Sequence, residues 1–168
     1  VPEHNRGPVF TVIPYMDLID DNEPVIVCYC DNPYLWNYDK FKQWVDKTKV
    51  DGCVLTHTGF HPHRLASTYM AYCKTKKDGS LIQIKEKEPY TKNHMKEHAS
   101  TGTYYFKKGS YIKQYFQDAI DNKIKHSNGE YYVTLVYNLL VKDKLDVKVY
   151  DTDHVMVFGI RLFFFYLY

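Results

Sequence analysis

The sequence predicts an α/β domain, with helices packed on a mixed sheet that carries one inserted hairpin. Apolar runs of strand length alternate with stretches whose apolar residues recur at helical spacing. Asp78-Gly79 lies between two alternating segments, which is the signature of a tight hairpin. No repeat, low-complexity tract or linker divides the 168 residues, so one domain is expected.

Each element follows from its residues. In 11–20, Val12, Met16 and Ile19 fall at helical spacing, which predicts a short helix despite Pro14. Residues 24–30 are a continuous apolar run ending at Asp31, which reads as a central strand of a largely parallel sheet, buried on both faces. A helix is predicted over 39–49, capped by Asp39, with Phe41, Trp44 and Val45 as its apolar stripe. A short strand follows at 53–58, and 67–73 and 80–86 form the hairpin around Asp78-Gly79. Residues 101–106 are rich in β-formers. Ser110 is the expected cap of a helix over 110–122, with Ile112, Tyr115, Phe116, Ala119 and Ile120 on one face. A second helix is predicted over 130–140, and strands at 144–150 and 154–158.

Composition removes several classes of function. Lys plus Arg is 22 and Asp plus Glu is 20, a net charge of +2, which argues against coating DNA or anionic lipid. Apolar content of 45% and charged content of 25% are globular values. Tyrosine is abundant, at 17 residues, whereas glycine is sparse, at 8, and no pair forms Gly-x-Gly, so no familiar glycine-rich phosphate loop is present. The four cysteines, Cys28, Cys30, Cys53 and Cys73, form no Cys-x-x-Cys pair, which favours a reduced, cytoplasmic setting. Cys28 and Cys30, two apart, should share a strand face, and a Cys inside an apolar run behaves as a small hydrophobe. The polar opening from Val1 has no signal-peptide pattern, and the aromatic end over 162–168 is far short of the roughly 20 residues that span a bilayer.

Five groups of residues are candidates for chemistry. Asp31 closes an apolar strand, where ligands of open α/β sheets collect and where a carboxylate can hold a divalent cation; a turn aspartate is an equal reading. Glu86-Lys87 pairs an acceptor for sugar hydroxyls with an ammonium for phosphate, although such pairs are usually solvated. Gly102, inside a strand, marks a bulge or a close backbone approach, or merely packing. Glu130 caps a helix, points into a cleft or faces solvent. His57, His61 and His63 can be drawn as a zinc site, but Pro62 forces extension and no thiolate lies nearby in sequence, so metal binding there is the weaker reading.

Taken in order, Asn5-Arg-Gly-Pro8, Asp20-Asp-Asn-Glu-Pro-Val-Ile-Val27, Tyr29-Cys-Asp31, Asp51-Gly52, Gly59-Phe-His-Pro-His63, Glu86-Lys-Glu-Pro89, Ser100-Thr-Gly-Thr-Tyr-Tyr-Phe106, Gly129-Glu-Tyr-Tyr132 and His154-Val-Met-Val-Phe-Gly159 form a set that resembles the sugar-1-phosphate nucleotidyltransferase family. The resemblance is closest to the branch associated with capsule and surface-polysaccharide biosynthesis. It implies a doubly wound, Rossmann-like mixed sheet with an inserted hairpin, and transfer of a nucleoside monophosphate from an NTP to a sugar 1-phosphate, giving an NDP-sugar and pyrophosphate. It implies magnesium held by Asp31, which is also the catalytic residue carried over. Arg6 and Gly7 are implied at the nucleotide base, Glu86 and Lys87 at the sugar phosphate, Gly102 under the sugar, and Glu130 at the sugar or nucleotide. No nucleic acid or membrane partner is implied, and family members are often dimers or tetramers, so a homo-oligomer is among the expectations.

The chain also departs from the family pattern. The family's opening Gly-x-Gly-x-Arg loop has no counterpart, so residues 1–159 are expected to be a partial nucleotidyltransferase domain, an incomplete form of that fold. Val157 stands where many members carry a second aspartate, and 160–168 is an atypical aromatic tail. The chain itself is then expected to be inactive. Two other readings remain: a catalytically dead module that binds a sugar phosphate or NDP-sugar, and an aromatic-rich nucleic-acid binder, which the modest charge disfavours.

Overall fold

The computed structural model describes residues 4–30, 36–61, 63–66 and 68–152. Asp31, the 154–158 strand, Val157 and the 160–168 tail lie outside the described residues, as does the side chain of His63. In chain order the elements are α1 (Pro8–Val12), a 3-10 helix (Ile13–Leu18), β1 (Val25–Cys28), α2 (Tyr38–Thr48), β2 (Gly52–His57), α3 (His63–Ala66), β3 (Ala71–Thr75), β4 (Leu81–Glu86), a 3-10 turn (His94–Lys96), β5 (His98–Phe106), α4 (Gly109–Asp121), α5 (Val133–Lys142) and β6 (Val147–Asp151).

The six strands form one mixed sheet in the order β4-β3-β5-β2-β6, with β1 also paired to β5. β2 and β6 are parallel and every other ladder is antiparallel. The α/β class and the hairpin are as the sequence predicts; the largely parallel arrangement is corrected. β1 is not a central strand buried on both faces, because its burial alternates between half-buried and exposed and it pairs only with β5 among the described residues. Val25 and Val27 pack on the core while Ile26 is exposed. A run of apolar side chains does not by itself say whether both faces are covered.

Alternation along β5 and β2 sorts the core into two layers. Val54, Tyr104 and Phe106 face α4 and α5, against Ile112, Phe116, Val136, Tyr137 and Leu140. Cys53, Leu55 and Tyr105 face the other way, against Phe41 of α2, with Trp36, Trp44 and Val45 around it. Tyr137 is buried but satisfied, its hydroxyl donating to the Tyr105 carbonyl at 2.6 Å.

Helix ends depart from the sequence reading for local reasons. The first helix begins at Pro8 and turns to 3-10 from Ile13, since Pro14 has no N–H for an α-helical bond. Asn37, not Asp39, caps α2, accepting the Lys40 N–H at 2.9 Å. Lys108, not Ser110, occupies the cap position of α4, and the N–H groups of Gly109 and Ser110 donate instead to the carbonyls of Glu23 and Asp21. α5 starts at Val133, so Glu130 lies in the loop before it. Cys28 and Cys30 are exposed, with Cys30 beyond the end of β1, whereas Cys53 and Cys73 are buried, and all four are free thiols.

Candidate active site

The sheet splits beside β5. β1 pairs with Thr103–Phe106 and β3 with His98 and Ala99, both on the edge of β5 away from β2, so Thr101 and Gly102 face the gap between them. The chain leaving β1 enters that gap, with the Tyr29 N–H on the Gly102 carbonyl at 3.0 Å. Gly102 has φ +82°, and a Cβ there would stand 2.9 Å from Tyr29 Cδ2. Glycine is therefore required both for the backbone and for the ring beside it. The close approach expected at Gly102 is made by Tyr29, whose ring meets Tyr104 edge-on at 5.8 Å. Ser100 Oγ accepts the Gly102 N–H at 3.1 Å and donates to the Tyr104 hydroxyl at 3.0 Å, locking the bulge.

Glu86 ends β4 opposite Ala71, on the α5 face. It is buried, and its Oε2 accepts the Thr134 hydroxyl of α5 at 2.7 Å. Burial raises its carboxyl above the usual range; the Thr134 bond and then the charge of Lys87 pull the other way. Lys87 follows with φ 59°, its N–H on the Met70 carbonyl at 3.0 Å. The other described non-glycine residues with positive φ, Lys49, Lys123 and Lys144, all stand just beyond helix ends, where this conformation is ordinary. At Lys87 it ends the strand alternation and carries the side chain toward the α5 face. Its ammonium donates to the Tyr132 hydroxyl at 2.6 Å and stands 4.7 Å from that ring's centre.

The loop before α5 supplies the opposite wall. Gly129, at φ +88°, closes a turn on His126, and Tyr132, just before α5, is extended. The Tyr132 hydroxyl donates to Glu130 Oε2, to which Asn128 Nδ2 also donates, at 2.5 Å. The Tyr132 bond is the first reason that the Glu130 carboxyl is held below its usual range, with Asn128 and Lys87 adding to it. Arg6 and Gly7 dock on the same loop: the Tyr131 N–H donates to the Arg6 carbonyl at 2.9 Å, and a Cβ on Gly7 would lie 2.8 Å from the Tyr131 backbone. The Arg6 guanidinium covers the Phe10 ring at 4.0 Å.

Arg6, Gly7, Lys87 and Glu130, scattered over 125 positions of sequence, thus meet around one loop, with Glu86 beside Lys87 and bonded to α5, while Gly102 lies at the split beside β5 against Tyr29. Sequence reasoning missed Tyr132, Thr134, Asn128 and Tyr29. Glu130 and Tyr132 are two apart, which places them on one face if the segment is extended; the helix expected there hid that signal.

His57 and His61 lie apart from this site, whereas His126 belongs to its loop, its ring meeting that of Tyr132 edge-on at 5.8 Å. His57 ends β2 on the α2 side of the sheet, where His57 and Tyr72 are both paired with Ala99. Its ring lies 5.4 Å from that of His61, and both its ring nitrogens are buried without hydrogen-bond partners. Arg64, fully buried, clamps this region by donating to the carbonyls of Gly59, Met95 and Glu97. No group of three or more His, Cys, Asp or Glu side chains gathers for a metal among the described residues. Nor is any described helix long and apolar enough to cross a membrane.

The chain matches no family model and no curated protein. Solved structures do match. A nucleoside-diphosphate-sugar pyrophosphorylase from Vibrio cholerae RC9 superposes with a TM-score of 0.66 at 18% identity, over 90% of this chain and 59% of its own. The fold is the nucleotidyltransferase-like α/β fold. A Bacillus anthracis protein described as a glucose-1-phosphate thymidylyltransferase, solved with sucrose, agrees: TM-score 0.65, 18% identity, 91% of this chain and 55% of its own. The chain spans less than two thirds of either of these neighbours.

Proposed function

We propose that this nucleotidyltransferase-like fold serves a sugar-1-phosphate nucleotidyltransferase reaction. An oxygen of the sugar phosphate attacks the α-phosphorus of an NTP, the bond to the bridging β-phosphate oxygen breaks, and pyrophosphate leaves. The observation that carries the reading is that Glu86 and Lys87 meet α5 and the 126–132 loop in a sheet that splits beside Gly102. Ligands of open α/β sheets bind where neighbouring strands diverge in this way.

In this reading Glu86 accepts sugar hydroxyls and the Lys87 ammonium meets the phosphate. The Tyr29–Gly102 contact forms the floor beneath the sugar, and Arg6–Gly7 presents backbone to the base. Asp31, one residue beyond Cys30, would hold magnesium, a hard cation suited to carboxylate and phosphate oxygens. Bound there, magnesium would neutralise charge on the triphosphate. The chain's own residues orient the two phosphates and keep them in line.

The test is a panel of NTPs and sugar 1-phosphates scored for pyrophosphate release, with binding of each sugar 1-phosphate measured in parallel. Turnover with one pairing supports the transferase. Binding without turnover supports the dead binding module instead, and neither binding nor turnover overturns the reading.

A further inference from the structure

We propose that Tyr132 is a positioning residue for Lys87, and that Glu130 acts on the site through Tyr132 rather than as a ligand of its own. The inference rests on the reading of Lys87 as the phosphate-binding cation. A phenol has one proton and two lone pairs. The Tyr132 proton goes to Glu130 Oε2, and its oxygen takes the Lys87 ammonium at 2.6 Å and Asn128 Nδ2 at 3.1 Å. The hydroxyl is saturated, so it has nothing left to offer a substrate directly. An ammonium has three donors. Lys87 uses one on Tyr132 and keeps two for an incoming anion.

The phenol also separates two charges. Among the described residues no carboxylate lies within ion-pair distance of Lys87, although Glu86 precedes it and Glu130 is one hydrogen bond further on. A direct Glu130–Lys87 pair would neutralise the cation and compete with phosphate. With Tyr132 between them, Glu130 polarises the hydroxyl toward Lys87 and leaves the ammonium free of a counter-ion. The positive φ of Lys87 fixes the root of the side chain. A long flexible side chain is thereby set in place before ligand arrives, which removes an ordering cost from binding.

The experiment uses the chain with lysine labelled at 13Cε, the Lys87 signal being assigned by its loss in Lys87→Arg. In the unaltered chain that signal is displaced from the other lysines by the Tyr132 ring current. Tyr132→Phe, which keeps the ring but not the hydroxyl, moves the signal, and Tyr132→Leu returns it to the position of exposed lysines. α-D-Glucose 1-phosphate then binds Tyr132→Phe about tenfold more weakly, as expected for a lost bond to a charged group, with binding of glucose unchanged. Glu130→Gln, which keeps Tyr132, weakens glucose 1-phosphate in the same direction by a smaller factor and serves if Tyr132→Phe does not fold. A Lys87 signal unmoved in Tyr132→Phe and Glu130→Gln overturns the proposal, and so does an equal loss for glucose and glucose 1-phosphate, which would mean a structural role alone. A signal that moves in a chain that binds no sugar 1-phosphate supports the positioning and counts against the transferase reading instead.

Discussion

Asn138 of α5 completes the edge of β4 at Ile84. Its Oδ1 accepts the Ile84 N–H at 2.9 Å and its Nδ2 donates to the Ile84 carbonyl at 2.9 Å. One side-chain amide therefore does for this edge what a neighbouring strand would do, and it ties the hairpin to the helix that carries Thr134. Open strand edges invite pairing with other chains. Asn138→Ala should cost about 2 kcal/mol, since two net hydrogen bonds of about 1 kcal/mol each are lost. Asn138→Asp, which turns an acceptor oxygen toward the Ile84 carbonyl in place of the donor, should cost at least as much. Urea melts check both, and two variants equal to the parent would show the pair to be idle.

Gly102→Ala should destabilise through two separate effects. Positive φ costs an L-residue about 1–2 kcal/mol, and the new methyl meets Tyr29 at 2.9 Å. Tyr29→Ala relieves only the second, so the double variant should be less destabilised than the sum of the single ones. Additive losses in a double-mutant cycle would place the Tyr29 ring away from Gly102.

Much of this is legible in the sequence. The hairpin was readable because Asp78-Gly79 admits few alternatives, and α4 because its apolar stripe is long. The class followed from alternating element lengths. Strand order was not readable: a parallel and an antiparallel neighbour bury the same valines, and β1 pairs with a strand some 75 residues later. The site divides in the same way. Glu86 and Lys87 stand out as a charged pair at a strand end, whereas Tyr132 is one of 17 tyrosines, and nothing in its spacing alone says which lysine it meets.

Glu86→Gln should separate stability from binding. The folded state raises this carboxyl above its unfolded value, so the native protein holds its proton to higher pH than the unfolded chain does. Stability from this group is then present at acid pH and declines as pH rises through that window, and at neutral pH the buried charge is a burden. A neutral amide keeps an oxygen for the Thr134 hydroxyl. The variant should melt no lower than the parent at pH 7, yet bind α-D-glucose 1-phosphate at least about tenfold more weakly if the carboxylate grips the sugar. A lower melting temperature with unaltered binding would reverse both expectations.

The buried His57 sets the acid limit of the fold. Burial, followed by the charges of Arg64 and His61, lowers its pKa from 6.5 to about 4, while Asp151 pulls weakly the other way. Neither ring nitrogen has a partner to lose, and a proton on the ring would place a second cation beside the buried Arg64. The Asp151 carboxylate already accepts from Thr56 and His98. The unfolded chain takes up the proton first as pH falls, so the stability due to neutral His57 is complete above about pH 6.5 and is lost progressively toward pH 4. The loss should reach about 3 kcal/mol, since each pKa unit is worth about 1.4 kcal/mol. His57→Leu removes this titration and should lose the fall in stability that the parent shows from pH 6.5 to 4, the opposite slope from Glu86 remaining in both, measured by urea melts at half-unit steps. The Asp151 carboxyl lies below its usual range and protonates at more acid pH, so it does not mask this window. A His57→Leu profile parallel to that of the parent would show that the acid sensitivity arises elsewhere.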